Sequence, residues 1–98
     1  MASAKELTTE LTRAIDLALS GDWDGAHKIV QVHEDDATAC WIHAVLHKIE
    51  GDASNSRYWY RQTKRTYEDF AEPNAELGAI RQLLKPGLLR PFDQLPQT

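Results

Sequence analysis

Apolar residues recur along this chain at helical spacing. Leu7, Leu11, Ala14, Ile15 and Ala18 fall at i, i+4, i+7, i+8 and i+11, the stripe of an amphipathic helix. Ser3 with Glu6 reads as a capping box and Gly21 as a stop, so the first helix is predicted over 3–20. Asp22 caps a second over 22–34, with Trp23, Ala26, Val30 and His33 on one face and the acidic run Glu34-Asp35-Asp36 at its end. The third, 37–50, is apolar nearly all round and closes at Gly51, which predicts a central position. The fourth, 54–70, aligns Ser56, Tyr60, Thr63 and Tyr67, flanked by Trp59 and Phe70. Pro73 suits the first turn of a fifth helix, 73–85, carrying Leu77, Ile80, Leu83 and Leu84. In the proline-interrupted tail, 86–98, Leu88, Leu89, Phe92 and Leu95 predict an ordered segment packed back in extended form. No stretch alternates as a strand would. The expectation is an all-α fold of about five helices in a single domain spanning 1–98.

Two segments echo each other. LALSGDWDGAHKIVQ and HKIEGDASNSRYWYRQ each carry an apolar helix end, then Gly-Asp, then a small residue five after the glycine (Ala26, Ser56). A large residue follows four later (Val30, Tyr60). Gly21 and Gly51 stand 30 residues apart, the pattern of two helix-turn-helix units sharing one turn chemistry. The turn GDWDGA resembles that of the tetratricopeptide repeat, over roughly residues 7 to 66. The resemblance implies two antiparallel hairpins stacked in a right-handed sense, followed by the C-terminal helix, and a protein-binding role. The period of 30 differs from the family's 34, and His43 stands where the family usually has leucine. The chain also resembles small bacterial all-helical proteins carrying "GDWDGAH" and "WIHAVLH…EGD" segments, a likeness that implies no particular activity.

Composition narrows the function classes. The 98 residues carry a formal net charge of −4, distributed unevenly. Residues 1–53 hold four Lys/Arg against ten Asp/Glu, and residues 54–98 hold seven against five. An acidic chain is poorly matched to nucleic acid, since phosphate binding draws on Lys and Arg. No apolar run approaches the roughly 20 residues of a membrane span. A single cysteine, Cys40, allows no intrachain disulfide. With an N-terminus lacking an export pattern, this predicts a cytoplasmic protein.

The candidate chemistry centres on the third helix. His43 and His47 are one helical turn apart, with Glu50 three further on. They can hold one divalent metal ion together, and His27 or His33 from the preceding helix can add a ligand. The spacing is H-A-V-L-H, without the glutamate of a zinc-protease helix. The plainer alternative is a buried network in which each ring nitrogen bonds a carbonyl, a carboxylate or a tyrosine hydroxyl. On the fourth helix, Arg57 and Arg61 can grip a carboxylate or phosphate, with Tyr58 beside them. There is no phosphate loop, no Cys-x-x-Cys and no complete nucleophile constellation, so no catalytic residue is assigned and no cofactor beyond a divalent metal is expected. The sequence therefore points to a binding or interaction module, its groove lined by Trp23, His27, His43, His47, Glu50, Arg57, Tyr58 and Arg61. The expected partner is a protein, a small anionic ligand or a second copy of the chain. The alternative is a metal- or small-ligand-binding protein centred on His43, His47 and Glu50.

Overall fold

The computed structural model of the protein describes residues 3–85. The expectations for the tail, 86–98, lie outside the described residues. Five α-helices follow in order: α1 (Ala4–Leu19), α2 (Trp23–Val30), α3 (Ala37–Ile49), α4 (Ala53–Tyr60) and α5 (Pro73–Leu84), with a 3-10 turn at Tyr67–Asp69. Among the described residues there is no strand, and no helix is long and apolar enough to cross a membrane. The all-α fold expected from periodicity is the fold observed.

The echoed turns are one structure used twice. At the end of α1 the Asp22 amide donates to Leu17 O at 2.8 Å and the Gly21 amide to Ala18 O at 3.1 Å. At the end of α3 the Asp52 amide donates to His47 O at 2.9 Å and the Gly51 amide to Lys48 O at 3.1 Å. This pair of bonds is the Schellman closure, which needs a left-handed residue. The glycines supply it, at φ +94° and +86°. Each aspartate then caps the next helix through its side chain, Asp22 taking the Gly25 amide and Asp52 the Asn55 amide. Five residues after each glycine, Ala26 and Ser56 are wholly buried. Ser56 Oγ, having no water to turn to, donates to Ala44 O at 2.6 Å.

α1 thus folds back on α2 and α3 on α4, while α5 packs on both α1 and α3. As its composition required, α3 is central: every residue from Ala39 to His47 is buried. The core joins Leu11 and Ile15 of α1, Val30 of α2, Ile42 and Leu46 of α3, and Leu77 and Ile80 of α5. Fully burying each such side chain contributes about 1.5–3 kcal/mol.

Two predicted boundaries are corrected. The second helix stops at Val30 instead of running to 34. Its continuation becomes tight turns, with His33 N bonding Val30 O and Asp36 N bonding His33 O, both at 3.0 Å. This frees Asp36 to cap α3 at the Ala39 amide. The fourth helix stops at Tyr60, ten residues early, because side chains compete for its backbone. Thr63 Oγ1 donates to Tyr60 O at 2.7 Å and accepts the Arg65 amide at 2.9 Å. Beyond it, the Lys48 ammonium on α3 draws in two carbonyls, Tyr67 O at 2.9 Å and Phe70 O at 3.1 Å.

That same ammonium donates to Glu76 of α5 at 2.9 Å, with both side chains nearly out of solvent. The Glu76 carboxylate also accepts Trp41 Nε1–H at 2.7 Å and the Tyr60 hydroxyl at 2.6 Å. Burial first, then the bond to Glu76, pushes the Tyr60 hydroxyl far above its ordinary range, which keeps it a donor. A buried carboxylate is tolerated only when charge and lone pairs are both answered. Here three donors from α3 and α4 answer it, and α5 is fastened in place.

Candidate functional site

The helical repeat sets His43 and His47 one above the other on α3, their rings 5.1 Å apart and 25° from parallel. The α1–α2 hairpin lays α2 alongside, and His27 reaches across to them. Its ring is 4.7 Å from that of His43 and 5.5 Å from that of His47, edge-on to both. His27 Nε2 and His43 Nε2 are 3.0 Å apart. One ring nitrogen from each of the three histidines lies within 4.8 Å of the others.

Two indoles hold this cluster from opposite sides. Trp23, the first residue of α2, stacks on His27 at 4.7 Å and anchors itself by donating Nε1–H to Leu46 O at 2.6 Å. Trp59 of α4 stacks on His43 at 3.9 Å, nearly parallel. Flat contacts on the ring faces fix imidazole orientation while leaving the in-plane nitrogens to polar partners.

The tautomers follow from the neighbours. His47 Nδ1 lies 2.6 Å from Glu50 Oε2. A carboxylate only accepts, so Nδ1 carries the proton, and in the neutral ring Nε2 keeps its lone pair. Between His27 and His43 a single proton is shared across the 3.0 Å contact, so one Nε2 donates and the other accepts. His43 Nδ1 is buried and has no hydrogen-bond partner among the described residues.

Burial first, then the neighbouring His27 and His47, depresses the His43 pKa to about 4. His27 is lowered as well, by burial and then by His47. Both are therefore neutral at physiological pH and present lone pairs rather than charge.

The structure brings Trp23, His27, His43, His47 and Glu50 together. His33 lies elsewhere, with Nε2 2.8 Å from Glu10 Oε1 of α1. Arg57, Tyr58 and Arg61, at and just after α4, do not join the histidine cluster. Arg57 pairs with Glu68 at 2.6 Å and lies over the Tyr67 ring. Tyr58 is about half exposed, edge-on to Trp59, with the Arg61 guanidinium over its outer side. Trp59, the stacking partner of His43, carried no sign of that role in the sequence beyond its place on an aromatic helix. Asp52, an N-cap by pattern, also sits within ligand distance of His47 and Glu50. Cys40, three residues before His43 on α3, is buried with Sγ 3.2 Å from Glu34 O. Burial, then Asp36, Glu34 and Asp35, raises its pKa, which disfavours the nucleophilic thiolate. No protein-family model, curated protein or solved structure matches this chain.

Proposed function

We propose that the protein is a small metal-binding module. It would hold one divalent transition-metal ion between α2 and α3 on His27, His43 and His47. The observation carrying the reading is the convergence of three imidazoles from two helices, with one nitrogen of each within 4.8 Å of the others. Two nitrogens bound to one tetrahedral ion at about 2.0–2.1 Å stand roughly 3.3 Å apart. The 3.0 Å separation of the His27 and His43 nitrogens is close to that edge.

Chemistry supports the same assignment. Imidazole donors suit zinc, copper, nickel and cobalt rather than calcium or magnesium. Glu50 on His47 Nδ1 is the carboxylate–histidine pairing that orients a ligand and raises its basicity. The ion replaces the proton held between His27 and His43. Three protein ligands leave a fourth position for water or an incoming donor. The binding module read from the sequence thereby acquires a ligand class, with the metal centred on α3 and completed from α2.

The test is titration of untagged, chelator-treated protein with Co²⁺, followed by visible absorption, and with Zn²⁺, followed by elemental analysis after gel filtration. One equivalent with a tetrahedral cobalt spectrum is expected. His27→Ala should abolish it, while His33→Ala should leave it intact. Absence of stoichiometric metal from a folded protein, or binding indifferent to His27, refutes the proposal.

A further inference from the structure

A second cluster lies on the other side of α4, away from the imidazoles. Between residues 57 and 66 the chain carries four Lys/Arg and no Asp/Glu, within a protein of net charge −4. Three of these cations, Arg57, Arg61 and Arg65, line one open depression of about 310 Å³, with Tyr60, Thr63 and Tyr67 among its walls.

Each guanidinium is positioned by an aromatic ring. Arg57 lies over Tyr67 at 4.3 Å, Arg61 over Tyr58 at 5.8 Å, and Arg65 over Trp41 at 4.1 Å. A guanidinium held over a ring is attracted by the ring's quadrupole and spends none of its N–H donors on it. Such contacts leave the N–H donors of Arg61 and Arg65 free for another acceptor, while Arg57 already spends one on Glu68. Of these three cations only Arg57 forms an ion pair, with Glu68; among the described residues Arg61 and Arg65 pair with no carboxylate. The loop bearing Arg65 is itself held, by the Thr63 hydroxyl on the Arg65 amide and by Thr66 on Asp69.

From this geometry we infer an anion site that takes the phosphate group of a small molecule. Two forks set around one depression match a dianion with three terminal oxygens, each fork gripping a pair of them. A carboxylate offers two oxygens and one charge, which a single fork exhausts. The volume stands at the lower end of the roughly 300–1,000 Å³ of small-molecule pockets, which suits a compact phosphate ester. Arg57 joins when Glu68 turns outward into solvent. This site is independent of the metal reading and stands if that reading fails.

The test follows ¹H–¹⁵N NMR shifts of chelator-treated, metal-free full-length protein titrated at constant ionic strength with inorganic phosphate, and separately with succinate. Removing metal prevents phosphate from reporting on the histidine site. Phosphate should saturate at one equivalent, moving the Arg61 and Arg65 Nε–H signals and the 63–68 amides. Arg61→Gln and Arg65→Gln, folded by circular dichroism, should each weaken it at least about tenfold. Lys5→Gln on α1 should change nothing. Shifts that never saturate, or that spread over all cationic residues, mean diffuse attraction and overturn the proposal. Succinate binding as tightly as phosphate overturns the phosphate assignment.

Discussion

Replacing His43 with leucine, similar in volume but without ring nitrogens, should remove an acid-sensitive element from the metal-free protein. In the folded state the His43 pKa is depressed to about 4 by burial and by His27 and His47. The unfolded chain restores a value near 6.5. Between these limits the unfolded state binds the extra proton. Stability is therefore lost as pH falls below about 6.5, and the loss levels off near 4. At pH 5, about 1.5 units below the unfolded value, the penalty is about 2 kcal/mol, since one unit corresponds to about 1.36 kcal/mol. Against a typical total of about 5–15 kcal/mol that is readily measured. The lowered pKa of His27 adds in the same direction. Urea melts of wild type and His43→Leu at pH 8 and pH 5, in chelator, give the comparison. Wild type should lose about 2 kcal/mol more than the variant between the two, whatever the offset at pH 8. There, removal of the unpartnered Nδ1 opposes loss of the Nε2 contact to His27 and of the stack on Trp59. A wild-type-minus-variant difference that does not change from pH 8 to 5 would refute the assignment of His43 as a buried neutral imidazole.

Three further outcomes are expected. Glu50→Gln should weaken metal affinity by about 10–100-fold through its effect on His47, read by competition with a chromophoric chelator. Its thermal midpoint should barely move, because Glu50 is partly exposed. Glu76→Ala should cost about 3–5 kcal/mol in chemical denaturation by stranding the buried Lys48 ammonium. The double variant Lys48→Met/Glu76→Leu should recover only the part due to the stranded ammonium, since Trp41 Nε1–H and the Tyr60 hydroxyl stay unpaired. No recovery at all would show that the Lys48 charge is not what Glu76 answers. Gly51→Ala should cost about 1–2 kcal/mol, although an added Cβ meets no atom within 4 Å. The penalty would come solely from φ +86°, and a neutral result would mean the turn readjusts.

The helical periodicity, the Gly-Asp turns and the central place of α3 were legible along the chain because each depends on neighbours within one or two turns. A left-handed glycine, an aspartate reaching three residues forward and an apolar stripe are local facts. The His43–His47 pair was legible for the same reason. Three other features were not, because each depends on helix packing. That His27 joins the pair while His33 turns to Glu10 depends on how α2 is laid against α3 and where it ends. The path of the chain beyond Tyr60 depends on Lys48, twelve residues before that stop, recruiting the carbonyls of Tyr67 and Phe70. Arg57, Tyr58 and Arg61 were read as lining one groove with the histidines, yet it is Trp59 among them that turns its ring onto His43. Periodicity places a side chain on a face of its own helix, but the residue it meets there is decided by the neighbouring helix that packs against that face.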